Sequence, residues 1–185
     1  LLPATILSLV FMLLIIFNKK MISYLAPLYA ICQGITMGMF SYYFNTLYEG
    51  IAITAISYTF CILFGLLSIY RLGLIKATEN FKLGVGAATS GIFLLYVINF
   101  AMSFFGTGIP LMDINNSSMA SIGFSVFVII IAAMNLVVDF DFIEEGAEKG
   151  APKYMEWYGA FGLMVTLIWL YLEILKLLAK MNSRK

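Results

Sequence analysis

Six long stretches without a charged residue make up most of this sequence of 185 residues. A transmembrane helix needs about 20 consecutive, predominantly apolar residues. The stretches are too long for the strands of a membrane barrel, and they lack the polar–apolar alternation of such strands. We therefore predict an all-α membrane protein folded as a compact bundle of six transmembrane helices. The uncharged stretches cover residues 1–18, 21–48, 50–70, 83–112, 114–138 and 157–172.

The composition supports membrane embedding over the whole chain. Hydrophobic residues make up 62% of the sequence and charged residues 11%, against about 45–50% and about 25% in soluble domains. We predict a single transmembrane domain over residues 1–185. Its first span includes Leu1–Phe17, which lacks the charged region and the cleavage site of a signal peptide. The spans are predicted at residues 1–18, 21–46, 50–70, 83–107, 118–140 and 157–178.

Lysine and arginine residues in the short loops predict the orientation, because such residues are enriched in cytoplasmic loops. The loops at 18–20, 71–82 and 139–156 carry seven of them. The loops at the other end carry none, although the C-terminal tail adds four. We therefore expect these three loops, including the acidic loop 139–156, on the cytoplasmic side.

The absence of histidine excludes several kinds of chemistry. Without histidine, a serine–histidine catalytic pair and histidine metal sites are both impossible, and we expect no enzyme activity. The net charge of +1 lacks the basic excess of a nucleic-acid-binding protein. Cys32 and Cys61 lie within apolar runs, so we expect small buried side chains in separate helices rather than a disulfide.

Ionisable residues inside the apolar runs are candidate functional residues, since such groups are costly in a membrane. Asp139 and Asp141 lie at the end of the fifth run, and Glu173 interrupts the last one. An alternative interpretation is that the two aspartates mark the end of a helix at the membrane surface. For Glu173, the alternative is a surface pair with Lys176, three residues further along a helix.

Uncharged polar and small residues within the spans suggest helix packing. Amide side chains in membranes most often form hydrogen bonds between helices, and lining a pore is the alternative role. Glycine and alanine allow close approach of two helices. The amides are Gln33, Asn99 and Asn135, and the small residues are Gly34, Gly38, Ala87, Gly91, Gly159 and Gly162.

A more specific hypothesis pairs Asp139 with Glu173 across the last two helices. Two carboxyl groups in contact within a bundle cannot both ionise readily, so they share a proton. Such a pair would close a pore while hydrogen-bonded and open it when deprotonated. Charged carboxylate oxygens also suit calcium, so Asp139 and Glu173 are the candidate metal ligands and no other cofactor is required.

Three segments of the sequence are similar, in order, to motifs of a known membrane family. The second run contains YAICQGITMG at 29–38, similar to a small-residue segment of that family. The fifth run ends in Asp139-Phe-Asp-Phe-Ile143, and the last contains Leu170-Tyr-Leu-Glu-Ile174. In these features the chain resembles the Bax inhibitor-1 family, the transmembrane Bax-inhibitor-motif proteins, in its bacterial branch.

The resemblance implies a seven-helix bundle, whose first helix would precede this chain, in the bacterial inner (plasma) membrane. It also implies a pH-sensitive calcium leak gated by two facing acids on the last two helices. These acids correspond to Asp139 and Glu173, with Asp141 as a third member of the pH sensor. The expected partners are the lipid bilayer, calcium and other membrane proteins. The chain departs from the family in having Glu173 for an aspartate and Ser8 for a membrane glutamate.

Two other functions stay open from the sequence. A proton-coupled transporter would use the same acids to carry protons, and broken helices or an inverted repeat would indicate it. A non-conducting regulatory scaffold would bind other membrane proteins through the small-residue faces of its helices.

Overall fold

A computed structural model describes residues 2–184 of the chain. The described residues form six helices joined by turns, with no strand among them, so the predicted all-α class is confirmed for this part of the chain. Two of the connections contain a short 3₁₀ turn, at Lys19–Met21 and Pro110–Met112. The helices are α1 (Leu2–Phe17), α2 (Ile22–Leu47), α3 (Ile51–Arg71), α4 (Glu79–Ser103), α5 (Met119–Glu148) and α6 (Tyr154–Asn182).

Four of these helices, α3 to α6, are each long and apolar enough to cross a membrane. The first two helices meet this criterion only as a pair, Pro3–Phe17 with Lys19–Leu47, bent by 119°. With 16 residues, α1 is about 24 Å long, shorter than the hydrocarbon core of about 30 Å. The pair therefore fits one broken span or a re-entrant segment, and six separate spans are not confirmed.

The acidic segment 139–156 is mostly helical, so the prediction of a loop there was wrong. α5 continues through Glu148, and only residues 149–153 separate it from α6. Charge ends a stretch that lipid can surround, but it does not end a helix, because glutamate, alanine and lysine favour helix in water. The turn comes at Gly150, whose φ of 61° is a conformation that glycine adopts without strain.

The last helix lies at the centre of the bundle. α6 packs against α5 and also contacts α2 and α3. Its residues Leu170 and Leu175 are fully buried in one cluster with Leu136 of α5 and Ala55 of α3. A polar side chain on this part of α6 is therefore surrounded by protein rather than by lipid.

The bent N-terminal pair packs against the first half of α6. Ile15 of α1, together with Ile22 and Tyr29 of α2, forms a cluster with Phe161 of α6. The rings of Tyr29 and Phe161 meet edge to face, with centroids 5.0 Å apart, a favoured geometry for aromatic pairs. This contact attaches the pair to the central helix.

The outer faces of the helices carry large apolar side chains. Ile53 and Phe93, for example, are 72% and 68% exposed, and lipid tails are the natural solvent for such faces. Cys61 is also exposed, contrary to the prediction of a buried side chain, whereas Cys32 is half-buried. Both cysteines are free, as predicted. A side chain added at Gly34, Gly38 or Gly91 would meet no atom within 4 Å, whereas Gly159 and Gly162 contact α5.

The three segments predicted to be cytoplasmic, 18–20, 71–82 and 139–156, lie at the same end of the bundle. Lys82, the last residue of the second segment, forms an ion pair of 2.6 Å with Asp141 of the third. The ammonium of Lys19 lies 5.3 Å from the ring centroid of Tyr158, near the start of α6. Placement of this end in the cytoplasm stays a prediction.

Candidate functional site

A row of polar contacts runs between α4 and its neighbours α5 and α6, and we call it the polar seam. Its α4 members recur every seven residues, which places them on one face of the helix over roughly 21 Å. Each of them contacts a polar side chain of α5 or α6. The three contacts of the seam are Lys82 with Asp141, Thr89 with Asn135, and Tyr96 with Glu173.

Glu173 is the most enclosed acid of the seam, with 3% of its surface exposed. Its Oε1 accepts hydrogen bonds from the hydroxyl of Tyr96 at 2.6 Å and from the ammonium of Lys176 at 2.9 Å. The ammonium also lies 5.1 Å from the centroid of the Tyr96 ring, within the range of a cation–π contact. The pair of Glu173 and Lys176 that the alternative interpretation predicted is therefore present, but Glu173 lies inside the bundle and not on its surface.

Asp139 lies where α5 and α6 approach each other closely. A methyl group added at Gly162 of α6 would be 3.6 Å from Asp139 Oδ1, and Thr166, one turn further along α6, lies beside the same carboxyl group. Its other oxygen, Oδ2, is buried and has no hydrogen-bond partner among residues 2–184. Because a buried polar atom is costly without a partner, this oxygen is a candidate site for a proton or a cation.

The structure does not bring Asp139 and Glu173 together. Asp139 lies beside Thr166, and Glu173 is seven residues further along α6, a rise of roughly 10 Å. A hydrogen bond between carboxyl groups spans about 2.5–3.0 Å, and calcium ligands lie about 2.3–2.6 Å from the ion. In this conformation the two acids therefore share neither a proton nor a calcium ion. Within the described part of the chain, no three acidic or cysteine residues cluster as metal ligands.

Asp141 belongs to a different contact from Asp139, although only one residue separates them. Its carboxylate forms an ion pair of 2.6 Å with Lys82 on α4. The ammonium of Lys82 also lies 3.8 Å from Glu145 and 3.3 Å from Glu79. Two positions along a helix turn a side chain by about 200°. This is why Asp139 faces α6 while Asp141 faces α4, and the structure does not place Asp141 in a common sensor with Asp139.

The three amides have three different environments. Asn135 donates hydrogen bonds to Thr89 Oγ1 of α4 at 2.7 Å and to the carbonyl of Ile131 at 2.9 Å, so it links two helices. Asn99 Oδ1 accepts a hydrogen bond from the backbone N–H of Ile109 at 2.7 Å and holds the turn after α4. Gln33 is half-buried on α2, outside the polar seam.

Replacing Asn135 with leucine is expected to lower the free energy of unfolding by about 0.5–1.5 kcal/mol, because hydrogen bonds between membrane helices contribute about 0.6 kcal/mol on average and about 1.7 kcal/mol at most. The substitution should cost less in a T89V background, because the hydrogen bond between Asn135 and Thr89 is then already absent before Asn135 is replaced. Unfolding of N135L, T89V and the double variant in detergent would measure this coupling. Additive effects of the two substitutions would show that the bond contributes nothing.

The sequence reasoning missed Lys180 and Tyr96. Lys180 was counted only among the basic residues of the C-terminal tail, yet it is 2% exposed. It lines a cavity of about 10 Å³ together with Tyr96, Ser125, Glu173 and Lys176, room for about one water molecule. A signal was available, because positions 173, 176 and 180 share one face of a helix.

Comparison with known proteins identifies a family. The family model described as Bax inhibitor 1 like matches residues 1–183, which include all six helices. No curated protein and no solved structure shows a significant match to the chain.

Proposed function

Because this chain belongs to the Bax inhibitor 1 like family, we propose that it is a pH-sensitive calcium leak channel, and that Asp139 and Glu173 gate it at two separate levels. Family membership and the apolar helices make it an integral, multi-pass membrane protein. The bacterial inner membrane is its proposed location. The observation that carries the proposal is the buried oxygen of Asp139 that has no partner in the described part of the chain and lies between the two most extensively packed helices.

Asp139 is the proposed pH sensor. Its charged form is a hard oxygen ligand that attracts calcium, whereas its protonated form has no net charge. Because one oxygen has no hydrogen-bond partner among residues 2–184, a cation or a proton can occupy that position without breaking a hydrogen bond of these residues. We therefore expect the leak to increase as the pH rises through the titration of this carboxyl group.

Glu173 is the proposed inner barrier. Its oxygen is held by Tyr96 and Lys176, and the cavity beside it, at about 10 Å³, is too small for a hydrated calcium ion. Passage of an ion along α6, from Thr166 beside Asp139 towards the other end of the helix, therefore requires Glu173 to leave these partners. Once released, the Glu173 carboxylate would face the permeating ion about two helical turns from Thr166. Asp139 lies next to Thr166. A calcium ion would then meet the acids one after the other.

Calcium flux into proteoliposomes across a pH series tests this proposal. The parent protein should admit calcium faster as the pH rises. Asp139→Asn, which imitates the neutral form, should stay slow at every pH, and Glu173→Gln should change the rate. Glu156→Gln is the matched control, because Glu156 is exposed on the same helix as Glu173. The proposal fails if parent flux equals that of empty vesicles, or if D139N keeps the parent's pH profile.

One observation favours a proton-coupled transporter as the second candidate. The bent pair Pro3–Phe17 and Lys19–Leu47 is the kind of broken span found at transporter binding sites. In this alternative, the acids carry protons across in exchange for a solute. Proton movement driven by a gradient of that solute, and absent without it, would distinguish the transporter from a leak.

A further inference from the structure

Lys180 inserts its ammonium group into a set of oxygen atoms contributed by other parts of the fold. Nζ donates to the carbonyl of Leu111 at 2.9 Å, to Ser125 Oγ at 3.0 Å and to the carbonyl of Ser121 at 3.4 Å. We call these three oxygens the oxygen cage. Since an ammonium group has three N–H donors, each donor has one acceptor in the cage.

The oxygen cage is held in place independently of Lys180. Ser121 is fully buried, and its hydroxyl donates a hydrogen bond of 3.0 Å to the carbonyl of Leu111. This bond ties the 3₁₀ turn Pro110–Met112 to the first turn of α5, where Ser118 caps the helix through the backbone N–H of Ser121. The cage is therefore built by the α4–α5 connection and α5, and α6 supplies only the lysine.

All three oxygens of the cage are uncharged. Glu173 lines the same cavity, but its bonded oxygen is occupied by Tyr96 and Lys176. Two carbonyls and a hydroxyl are oxygen ligands of the kind that replace the water shell of a monovalent cation. Sites for calcium, in contrast, usually include several carboxylates.

We propose that the oxygen cage is a monovalent-cation site, and that Lys180 occupies it as a cation tethered to α6. Removal of the side chain leaves the cage open to a small free cation such as ammonium or potassium. A cation too large for three oxygens at these distances, such as tetramethylammonium, is excluded. This proposal does not depend on the calcium leak, because it concerns binding at a site that Asp139 does not reach.

Thermal unfolding of the full chain in detergent tests the proposal. Lys180→Ala should unfold at a temperature about 3 °C or more higher in ammonium or potassium chloride than in tetramethylammonium chloride at equal ionic strength, because a ligand that binds only the folded state stabilises it. The parent should show no such difference, because its own ammonium fills the cage. Lys153→Ala is the control, because Lys153 is exposed at the N-terminus of the same helix, and it should behave like the parent. The proposal is overturned if Lys180→Ala responds to these salts as the parent does.

A second measurement keeps the proposal testable if Lys180→Ala does not fold. Ser125→Ala removes one oxygen of the cage, and its cost should be large with Lys180 present and small in the Lys180→Met background, in which no ammonium is left to bind. Methionine keeps most of the length of the lysine side chain and needs no acceptor. An equal cost of Ser125→Ala in both backgrounds would show that the cage does not hold the ammonium.

Discussion

Replacing Glu173 with alanine is expected to lower the free energy of unfolding by about 2–3 kcal/mol. The substitution removes the acceptor of two hydrogen bonds, from Tyr96 and from Lys176. It leaves the phenol of Tyr96 inside the bundle without its partner, and an unpaired buried donor costs about 1–3 kcal/mol. Breaking a fully buried ion pair costs about 3–5 kcal/mol, but the Lys176 side chain is 32% exposed, so the full value does not apply.

Equilibrium unfolding in detergent, monitored by circular dichroism, would measure this effect. A double-mutant cycle with Tyr96→Phe should show a coupling of about 0.5 kcal/mol or more between the two side chains. Glu156→Ala is the control, since Glu156 is exposed on the same helix and its replacement should change stability by less than about 0.5 kcal/mol. Equal losses for the two glutamates would show that burial of Glu173 in the seam has no energetic consequence.

Replacing Gly159 with alanine is expected to destabilise the protein by about 1–2 kcal/mol through overpacking. A Cβ atom at this position would lie 2.7 Å from Cγ1 of Ile143 on α5, closer than van der Waals contact allows. Isoleucine has one strongly preferred χ1 rotamer in a helix, so Cγ1 cannot easily turn away and the helices must separate. The gain from alanine's helix propensity, about 1 kcal/mol, offsets only part of this cost.

Two further variants show whether the clash causes the loss. Ile143→Ala removes the opposing atom, so Gly159→Ala should cost less in that background than in the parent. Gly91→Ala is the matched control on α4, where an added Cβ meets no atom within 4 Å, and its stability should stay equal or rise. If thermal unfolding in detergent ranks Gly159→Ala with Gly91→Ala, the close α5–α6 contact is not a stabilising feature.

The helices were largely predictable because helix formation depends on local properties. Thr78 and Ser118, for example, cap α4 and α5 through backbone N–H groups three residues away, a signal contained in the sequence. The end of α5 was not predicted correctly, because the segment up to Glu148 is too polar for lipid yet still favourable for helix. Hydropathy predicts which part of a chain lipid can surround, but a helix can continue beyond the end of that part.

The contacts of the acids were not predictable, because they depend on the register between helices. Asp139 and Glu173 do lie on helices that pack together, as the sequence suggested. However, Asp139 lies beside Thr166, and this register leaves Glu173 roughly 10 Å further along the antiparallel neighbour. The partner of Glu173 is instead Tyr96, a residue that looks in sequence like any other aromatic residue of an apolar span.

The sequence by itself determined that this protein is helical and apolar over nearly its whole length, because the length of an uncharged run and the helix preferences of its residues are local quantities. Its motifs also indicated the family to which the matching family model assigns it. Only the tertiary structure decided which polar groups meet: it separated Asp139 from Glu173, joined Asp141 to Lys82, and buried Lys180 in its oxygen cage. The physical reason is that a side chain's environment is set by the rotation and register of neighbouring helices, which depend on packing over the entire bundle.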